Sequence, residues 1–243
     1  MIQVTNLHKS FGDVQAVQNI SFEAPNGQIT GLLGPNGAGK STTMRIIAGI
    51  LKANQGDASI DGFNITENRI EAQKRLGVLP DKRGIYQRLT TRENIRYYGR
   101  LNLLPADTIE ARIDDIIQLL DMEEIADRRA EGFSTGQKVK VAIARTLVSD
   151  PPNLILDEPT LGLDVMSTRA MRDIIRRLRD EGKTVLLSSH IMQEVAMLCD
   201  TIVIIAQGTV VAQGTADELR NRAETDSLED AFVSIIGSGE GLE

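Results

Sequence analysis

The chain has 243 residues, of which 41% are hydrophobic and 25% are charged, and its formal net charge is −7. A chain of this size and composition buries a substantial core, either as one large domain or as a domain with a subdomain. The negative charge argues against a surface that coats nucleic acid, because binding to a phosphate backbone needs a clustered basic face.

The N-terminal residues predict a small antiparallel layer. Alternating stretches at residues 3–7 and 14–22 indicate antiparallel strands, and a turn at residues 25–27 precedes an apolar run at residues 29–33. Phe11 falls in a turn between the first two strands. Its ring could stack on an adenine base or pack into the core, and the local residues leave both interpretations open.

A glycine-rich loop follows the apolar run and leads into a helix-forming stretch at residues 42–50. Its G-x-x-x-x-G-K-S spacing is typical of phosphate binding, because glycine lets successive backbone N–H groups converge on phosphate oxygens. The next helix directs the positive end of its dipole to the same place. We predict that Lys40 reaches the β- and γ-phosphates of a nucleotide and that the Ser41 hydroxyl binds Mg²⁺. The predicted nucleotide contacts are Gly34, Pro35, Asn36, Gly37, Ala38, Gly39, Lys40, Ser41 and Thr42.

The middle of the chain changes from mixed structure to mainly helical structure. Residues 58–60 predict a strand that returns to the antiparallel layer, and a helix near residues 67–75 leads to a core strand at residues 76–79. From there to about residue 149, apolar residues recur at helical spacing. We predict a helical subdomain over residues 82–149, with a buried stripe formed by Ile109, Ile113, Ile116, Ile117 and Leu120.

Two acidic residues end an almost continuous apolar run at residues 153–158. Such a run predicts a buried parallel strand, and ligands bind at the carboxyl edge of parallel strands. Asp157 would be the acidic ligand of Mg²⁺, usually through water. Glu158, which strand alternation would turn to the other face, is then available to polarise water, although both acids could instead form ion pairs.

The C-terminal half alternates between helices and strands. Helices are predicted at residues 165–181, before Cys199, at 216–222 and at 228–236, and strands at residues 183–188, 201–206 and 210–211. His190 follows one of these strands, where it could donate to the γ-phosphate or act only as a structural hydrogen-bonding residue. The alternation predicts an α/β fold with a doubly wound, mainly parallel sheet. We expect a nucleotide-binding domain over residues 1–222 and a helical extension with a flexible tail over residues 223–243.

Cellular location is predicted from segments that the sequence lacks. No apolar run approaches the ~20 residues that span a bilayer, and the first residues do not resemble a signal peptide. Cys199 is the only cysteine, which excludes an internal disulfide and a multi-cysteine zinc site. We therefore expect a cytoplasmic protein.

Three further motifs make almost the whole chain resemble the ATP-binding cassette family. Residues 133–137 look like the family's signature, residues 162–164 look like its D-loop, and residues 188–190 look like its switch histidine. The resemblance implies a P-loop NTPase (RecA-like) fold with an N-terminal antiparallel β layer and a helical signature subdomain. It also implies an ATPase that uses ATP and Mg²⁺, with Lys40, Glu158 and His190 in catalysis and Phe11 stacked on adenine.

The resemblance further implies a homodimer. In the family, two cassettes pack head to tail, and each ATP lies between the phosphate loop of one chain and the signature of the other. Asp164 would lie at this interface. The signature residues that would contact the partner's nucleotide are Ser134, Thr135, Gly136 and Gln137.

Two residues depart from the family pattern. Thr135 stands where the family usually has glycine, and Asp81 stands where it usually has a glutamine near Mg²⁺. A carboxylate is a hard ligand for Mg²⁺, yet its charge repels the triphosphate. Whether Asp81 takes the role of the glutamine at Mg²⁺ therefore stays open. Both departures resemble bacterial single-cassette exporter ATPases of the sodium-extruding NatA kind.

The resemblance favours the ATPase of a transporter whose membrane-spanning permease subunits are separate chains. We expect it on the cytoplasmic face of the membrane, with no nucleic acid as partner. The alternative is a soluble cassette ATPase that acts on ribosomes or DNA. Translation-type cassettes usually come in pairs within one chain, and repair-type cassettes insert long coiled coils that the stretch from Lys40 to Asp157 has no room for. A GTPase would need an N-K-x-D motif, which is absent from the sequence.

Overall fold

The computed structural model describes residues 1–237, so most of the predicted flexible tail, residues 238–243, lies outside the described residues. The strands are β1 (Ile2–Phe11), β2 (Val14–Ala24), β3 (Ile29–Leu33), β4 (Gln55–Ile60), β5 (Phe63–Asn64), β6 (Leu76–Leu79), β7 (Asn153–Asp157), β8 (Thr184–Ser189), β9 (Thr201–Ala206) and β10 (Thr209–Gly214). The helices are α1 (Lys40–Ile47), α2 (Arg69–Lys74), α3 (Thr91–Leu101), α4 (Ala106–Leu119), α5 (Thr135–Leu147), α6 (Val165–Asp180), α7 (Met192–Leu198), α8 (Ala216–Arg222) and α9 (Leu228–Ile236). None of these helices within residues 1–237 is long and apolar enough to cross a bilayer.

The N-terminal layer is an antiparallel sheet with the strand order β2-β1-β4-β5. Val4 of β1 pairs with Phe22 of β2 on one side and with Ala58 of β4 on the other. Ile2, Val4 and Leu7 are buried, while polar residues between them are exposed. This alternation covers one face of the sheet with core and leaves the other polar, which confirms the predicted antiparallel layer.

The second sheet is mainly parallel and has the order β10-β9-β3-β8-β7-β6. Strands β9, β3, β8, β7 and β6 are parallel to their neighbours, and only β10 runs antiparallel to β9. Every residue of β3, β7 and β8 is buried, because helices or the other sheet cover both faces. The predicted α/β fold is confirmed, and the predicted core strand β6 forms the edge of the sheet.

Strand β3 connects three apolar clusters. Ile29 belongs to the cluster that extends into the helical region, Leu32 to the cluster beneath the antiparallel layer, and Leu33 to the cluster under the C-terminal helices. Each fully buried side chain of this kind contributes roughly 1.5–3 kcal/mol relative to an exposed one. The end of β3, which leads into the phosphate loop, is therefore held from three directions.

Helices α3, α4 and α5 form the helical region predicted between residues 82 and 149. The predicted stripe on α4 is buried, from Ile109 to Leu120 just past its end. Helix α9 packs Leu228, Ala231 and Phe232 into the cluster that contains Leu33. Helix α9 thus shares a core cluster with the central sheet. The boundary between residues 222 and 223 stays a prediction.

Replacement of Ile113 by alanine tests the packing of α4. Ile113 is fully buried, so Ile113→Ala should lower the free energy of unfolding by about 2–5 kcal/mol through lost burial and a residual cavity. The matched control is Ile70→Ala on α2, where the side chain is 70% exposed and we expect a change within about 0.5 kcal/mol. Urea denaturation measures both, and equal midpoints for the two variants would contradict this packing.

Candidate functional site

The phosphate loop connects β3 to α1 through backbone conformations that need glycine. Gly37 has φ 81° and Gly39 has φ 103°, both in the left-handed region that other residues rarely adopt. A Cβ at Gly39 would lie 2.4 Å from the carbonyl oxygen of Ala16, so a side chain has no space there. Gly39 precedes the first turn of α1, where free N–H groups and the helix dipole favour an anion.

Lys40 is a desolvated cation inside this loop. Its side chain is buried, and Nζ donates to the carbonyl oxygens of Gly34 at 2.6 Å and Pro35 at 3.0 Å. Burial lowers the pKa of Lys40, and the nearby carboxylates of Glu158 and Asp157 act in the opposite direction. The ammonium group therefore lies in an environment of low polarity, where its attraction to phosphate oxygens is strengthened.

Asp157 and Ser41 meet at the carboxyl edge of the parallel sheet. Asp157 is the last residue of β7 and is buried, and its Oδ1 accepts from the Ser41 hydroxyl at 3.2 Å. The Ser188 hydroxyl of β8 donates to the same oxygen at 2.6 Å. The hydroxyl and carboxylate oxygens predicted to bind Mg²⁺ are thus adjacent, and they are of the hard type that this ion prefers.

Glu158 lies beyond the strand, so the prediction that strand alternation orients it is wrong. Strand β7 ends at Asp157, and Glu158 has φ 49°, a left-handed conformation that costs of order 1–3 kcal/mol in a non-glycine residue. Its N–H donates to the Ser188 hydroxyl at 2.9 Å. The two carboxylates diverge because the backbone turns sharply at Glu158, and the pleat of the strand plays no part.

His190 lies against Glu158. Nδ1 of His190 is 3.0 Å from Oε2 of Glu158, and it donates there because an ionised carboxylate only accepts hydrogen bonds. The Glu158 side chain is 13% exposed and that of His190 is 40% exposed. The histidine therefore extends from the buried carboxylate toward solvent, and its ring orientation is determined by Glu158.

Lys40, Ser41, Glu158 and His190 border one cavity of about 410 Å³. The cavity joins the phosphate loop to Asp81, Glu158 and His190, which follow β6, β7 and β8 respectively. Ala16 and Leu161 also line it, and neither was predicted. The lining residues are Ala16, Asn36, Gly37, Ala38, Gly39, Lys40, Ser41, Thr42, Asp81, Glu158, Leu161 and His190.

Phe11 lies outside the lining of this cavity. Its side chain is 48% exposed at the end of β1, so the interpretation as a core aromatic is wrong. The ammonium group of Lys9 lies 5.1 Å from the ring centroid, a cation–π contact. Stacking of Phe11 on adenine stays a prediction.

The signature residues lie away from the phosphate loop. Ser134 caps α5 by accepting from the N–H of Gln137 at 3.2 Å, and Gln137 Oε1 accepts from the N–H of Ser134. Thr135 is exposed on the first turn. Ser134, Gly136 and Gln137 border a second cavity of about 560 Å³, which is separate from the cavity at the phosphate loop.

Asp164 lies beside this second cavity. It caps α6, because its carboxylate accepts from the N–H and the hydroxyl of Ser167. The hydrogen bond from the Ser167 N–H, and to a smaller extent the one from its hydroxyl, lower the pKa of Asp164. Ser167 also contacts the signature, since a Cβ on Gly136 would come within 2.7 Å of its hydroxyl oxygen.

Sequence reasoning missed two polar residues near Asp157 and Glu158. Ser188 was noted only as part of a motif, although its hydroxyl links both acids. Arg83 was not noted, although its guanidinium donates to the carbonyl of Glu158. The available signals were the position of Ser188 at the end of a buried strand and that of Arg83 two residues after Asp81.

Known proteins resemble this chain over most of its length. A profile of the family described as "ABC transporter" matches residues 17–161. The ABC transporter ATP-binding protein NatA of Bacillus subtilis (strain 168) is 41% identical over 244 residues, which covers 98% of this chain and 99% of that protein. The structure of an ATP-binding subunit of an ABC transporter matches with a TM-score of 0.87 and 28% identity, over 98% of this chain and 100% of the other. The dimeric structure of MJ0796, a bacterial ABC transporter cassette, has a TM-score of 0.78 and 26% identity, over 88% and 98%.

Removal of the Ser188 hydroxyl tests its place between the two acids. Ser188→Ala leaves the partly buried N–H of Glu158 without an acceptor and removes a donor from Asp157, so the free energy of unfolding should fall by about 1–3 kcal/mol. The matched control is Ser234→Ala on the exposed side of α9, with a change within about 0.5 kcal/mol. If chemical denaturation finds both variants as stable as the wild type, the hydrogen bonds of Ser188 to Asp157 and Glu158 do not stabilise the fold.

Proposed function

The chain belongs to the ABC transporter family, a family of ATPases, and we propose that it hydrolyses ATP as the nucleotide-binding subunit of a transporter whose permease is a separate chain. The observation that carries this proposal is the single cavity at which the phosphate loop, Asp81, Glu158 and His190 come together. The phosphate loop and Lys40 hold the triphosphate, and Phe11 stacks on the adenine ring.

The residues around Asp157 are suited to a magnesium ion. Ser41 and Asp157 would hold Mg²⁺, since their oxygens lie 3.2 Å apart. When bound, Mg²⁺ supplies positive charge that offsets the charge on the β- and γ-phosphates. Asp81 lies on the same cavity and adds a further carboxylate, whose charge either supports the ion or repels the triphosphate.

Glu158 and His190 act on the attacking water. The Glu158 carboxylate accepts a hydrogen bond from water and orients it toward the γ-phosphorus. His190 keeps that carboxylate in place through Nδ1. Because Nδ1 is engaged, His190 donates to the γ-phosphate through Nε2 only when the ring carries both protons. Lys40 neutralises charge that develops on the phosphate oxygens.

Two copies of the chain complete each site. Ser134, Gly136 and Gln137 border a cavity separate from that of the phosphate loop, which supports two half-sites in each chain. Head-to-tail packing would bring Ser134, Thr135, Gly136 and Gln137 of one copy against the ATP of the other, with Asp164 at the interface. The dimeric form of the similar cassette MJ0796 supports this arrangement.

The permease would bind on the cytoplasmic face of the membrane and would determine the cargo. The 41% identity to NatA over nearly the full length supports a transporter role, and the likeness to the sodium-extruding NatA kind favours export. A soluble cassette ATPase that acts on ribosomes or DNA is the alternative. No contact with nucleic acid is expected of the transporter subunit.

Sedimentation of Glu158→Gln tests the two-chain site. This variant should bind MgATP but hydrolyse it far more slowly than the wild type and therefore accumulate as a dimer, whereas the protein without nucleotide should remain monomeric. The matched control is the double variant Lys40→Ala, Glu158→Gln, which should stay monomeric because it lacks the phosphate-binding ammonium group. If MgATP leaves Glu158→Gln monomeric, both alone and with its partner, the dimer proposal is wrong.

Affinity capture from detergent-solubilised membranes tests the transporter role. A tagged copy should recover a membrane-spanning protein at a stoichiometric amount, as identified by mass spectrometry, and a tagged unrelated protein serves as control. Recovery of ribosomal or DNA-processing proteins, with nothing from the membrane, would replace the transporter by the alternative.

A further inference from the structure

Arg83 connects the loop after β6 to the turn that holds Glu158. Its Nη2 donates to the carbonyl oxygen of Glu158, and its Nη1 lies 3.5 Å from the carbonyl oxygen of Leu161. The same turn is closed by the N–H of Leu161, which donates to the carbonyl of Glu158 at 3.2 Å. The guanidinium therefore spans both ends of the turn.

The backbone of Glu158 is held at both of its polar groups. Ser188 accepts from its N–H at 2.9 Å, and Arg83 donates to its carbonyl. This matters because Glu158 has φ 49°, a conformation that persists in a non-glycine residue only where its surroundings enforce it. The direction of the carboxylate follows from this backbone conformation, so both contacts bear on where the carboxylate points.

The surroundings of Arg83 are unfavourable for a residue that serves stability alone. Its Nε is buried and has no hydrogen-bond partner among residues 1–237. Burial lowers the pKa of Arg83, and the carboxylates of Asp81 and Glu158 oppose that effect. Local violations of good packing concentrate at functional sites, which points to a role beyond the fold.

We propose that Arg83 is a positioning residue for ATP hydrolysis, which fixes the carbonyl of Glu158 and thereby aims its carboxylate into the phosphate-loop cavity. This inference rests on the proposed role of Glu158 in orienting water. Arg83 itself does not line that cavity and acts through Glu158.

The same loop is attached to the helical region on its other side. Arg145 of α5 donates to the carbonyl of Gly84 at 2.5 Å, and Asn94 of α3 accepts from the N–H of Tyr86 and donates to its carbonyl, both at 3.1 Å. Arg83 thus belongs to a loop that contacts Glu158 on one side and helices α3 and α5 on the other.

Substitutions at Arg83 test the proposal by steady-state hydrolysis of MgATP on the full chain. Arg83→Gln should lower kcat by about 100-fold, since a displaced carboxylate no longer holds water in line. KM and the Kd for ATP should change by less than about threefold, because the phosphate loop is untouched. Arg83→Lys should lie between, since an ammonium group lacks the fork that reaches two carbonyls. Lys82→Gln, which removes an exposed neighbouring charge, should keep the wild-type kcat.

A double variant distinguishes a positioning role of Arg83 from a general structural role. Single-turnover hydrolysis by Glu158→Gln should fall by less than about threefold when Arg83→Gln is added, because the carboxylate that Arg83 aims is already absent. A merely structural role would lower it by the same factor in both backgrounds, and that result would overturn the proposal. So would a wild-type kcat for Arg83→Gln.

Parallel assays of the wild type and Lys40→Ala distinguish this inference from the proposed function. A wild type that hydrolyses no ATP would overturn both. Hydrolysis that is lost in Lys40→Ala but unchanged in Arg83→Gln would overturn the inference alone. If Arg83→Gln does not fold, Arg83→Lys decides: a lowered kcat at unchanged ATP affinity supports the proposal, and a wild-type kcat contradicts it.

Discussion

The hydrogen bonds of Ser188 are the contact on which the arrangement of Asp157 and Glu158 depends. Strand β8 lies between β3, which leads to the phosphate loop, and β7, which ends at Asp157. Asp157 pairs with Ser188 in the parallel register, so the serine hydroxyl reaches the Asp157 carboxylate and the N–H of Glu158 together. The adjacency of Lys40, Asp157 and Glu158 is therefore a consequence of strand order, and each helix only stabilises it.

The separation of the phosphate loop from the signature follows from the same architecture. The phosphate loop lies at the carboxyl edge of the sheet, whereas the signature begins α5 in the helical region. The loop after β6 contacts Glu158 through Arg83 on one side, and helices α3 and α5 through Asn94 and Arg145 on the other. Glu158 is in this way connected through one loop to the helical region.

Much of this fold and site follows from the sequence, because the relevant signals are local. The glycine spacing around Lys40 predicted the loop, and the apolar run that ends at Asp157 predicted a buried strand with an acid at its edge. The conformation of Glu158 could not be predicted, since the residues that hydrogen-bond to its backbone, Ser188 and Arg83, are distant in sequence. The exposure of Phe11 likewise depends on how the antiparallel layer is placed, and a turn pattern does not report that.

The most direct test of this account is the specific ATPase activity of the purified wild type as a function of protein concentration. If each site needs the phosphate loop of one chain and the signature of another, the activity per molecule should rise with concentration until the dimer is fully formed. Measurement by phosphate release, with sedimentation under the same conditions, gives both quantities. Constant activity per molecule at concentrations where only monomer sediments would contradict the account, as would the absence of hydrolysis at any concentration.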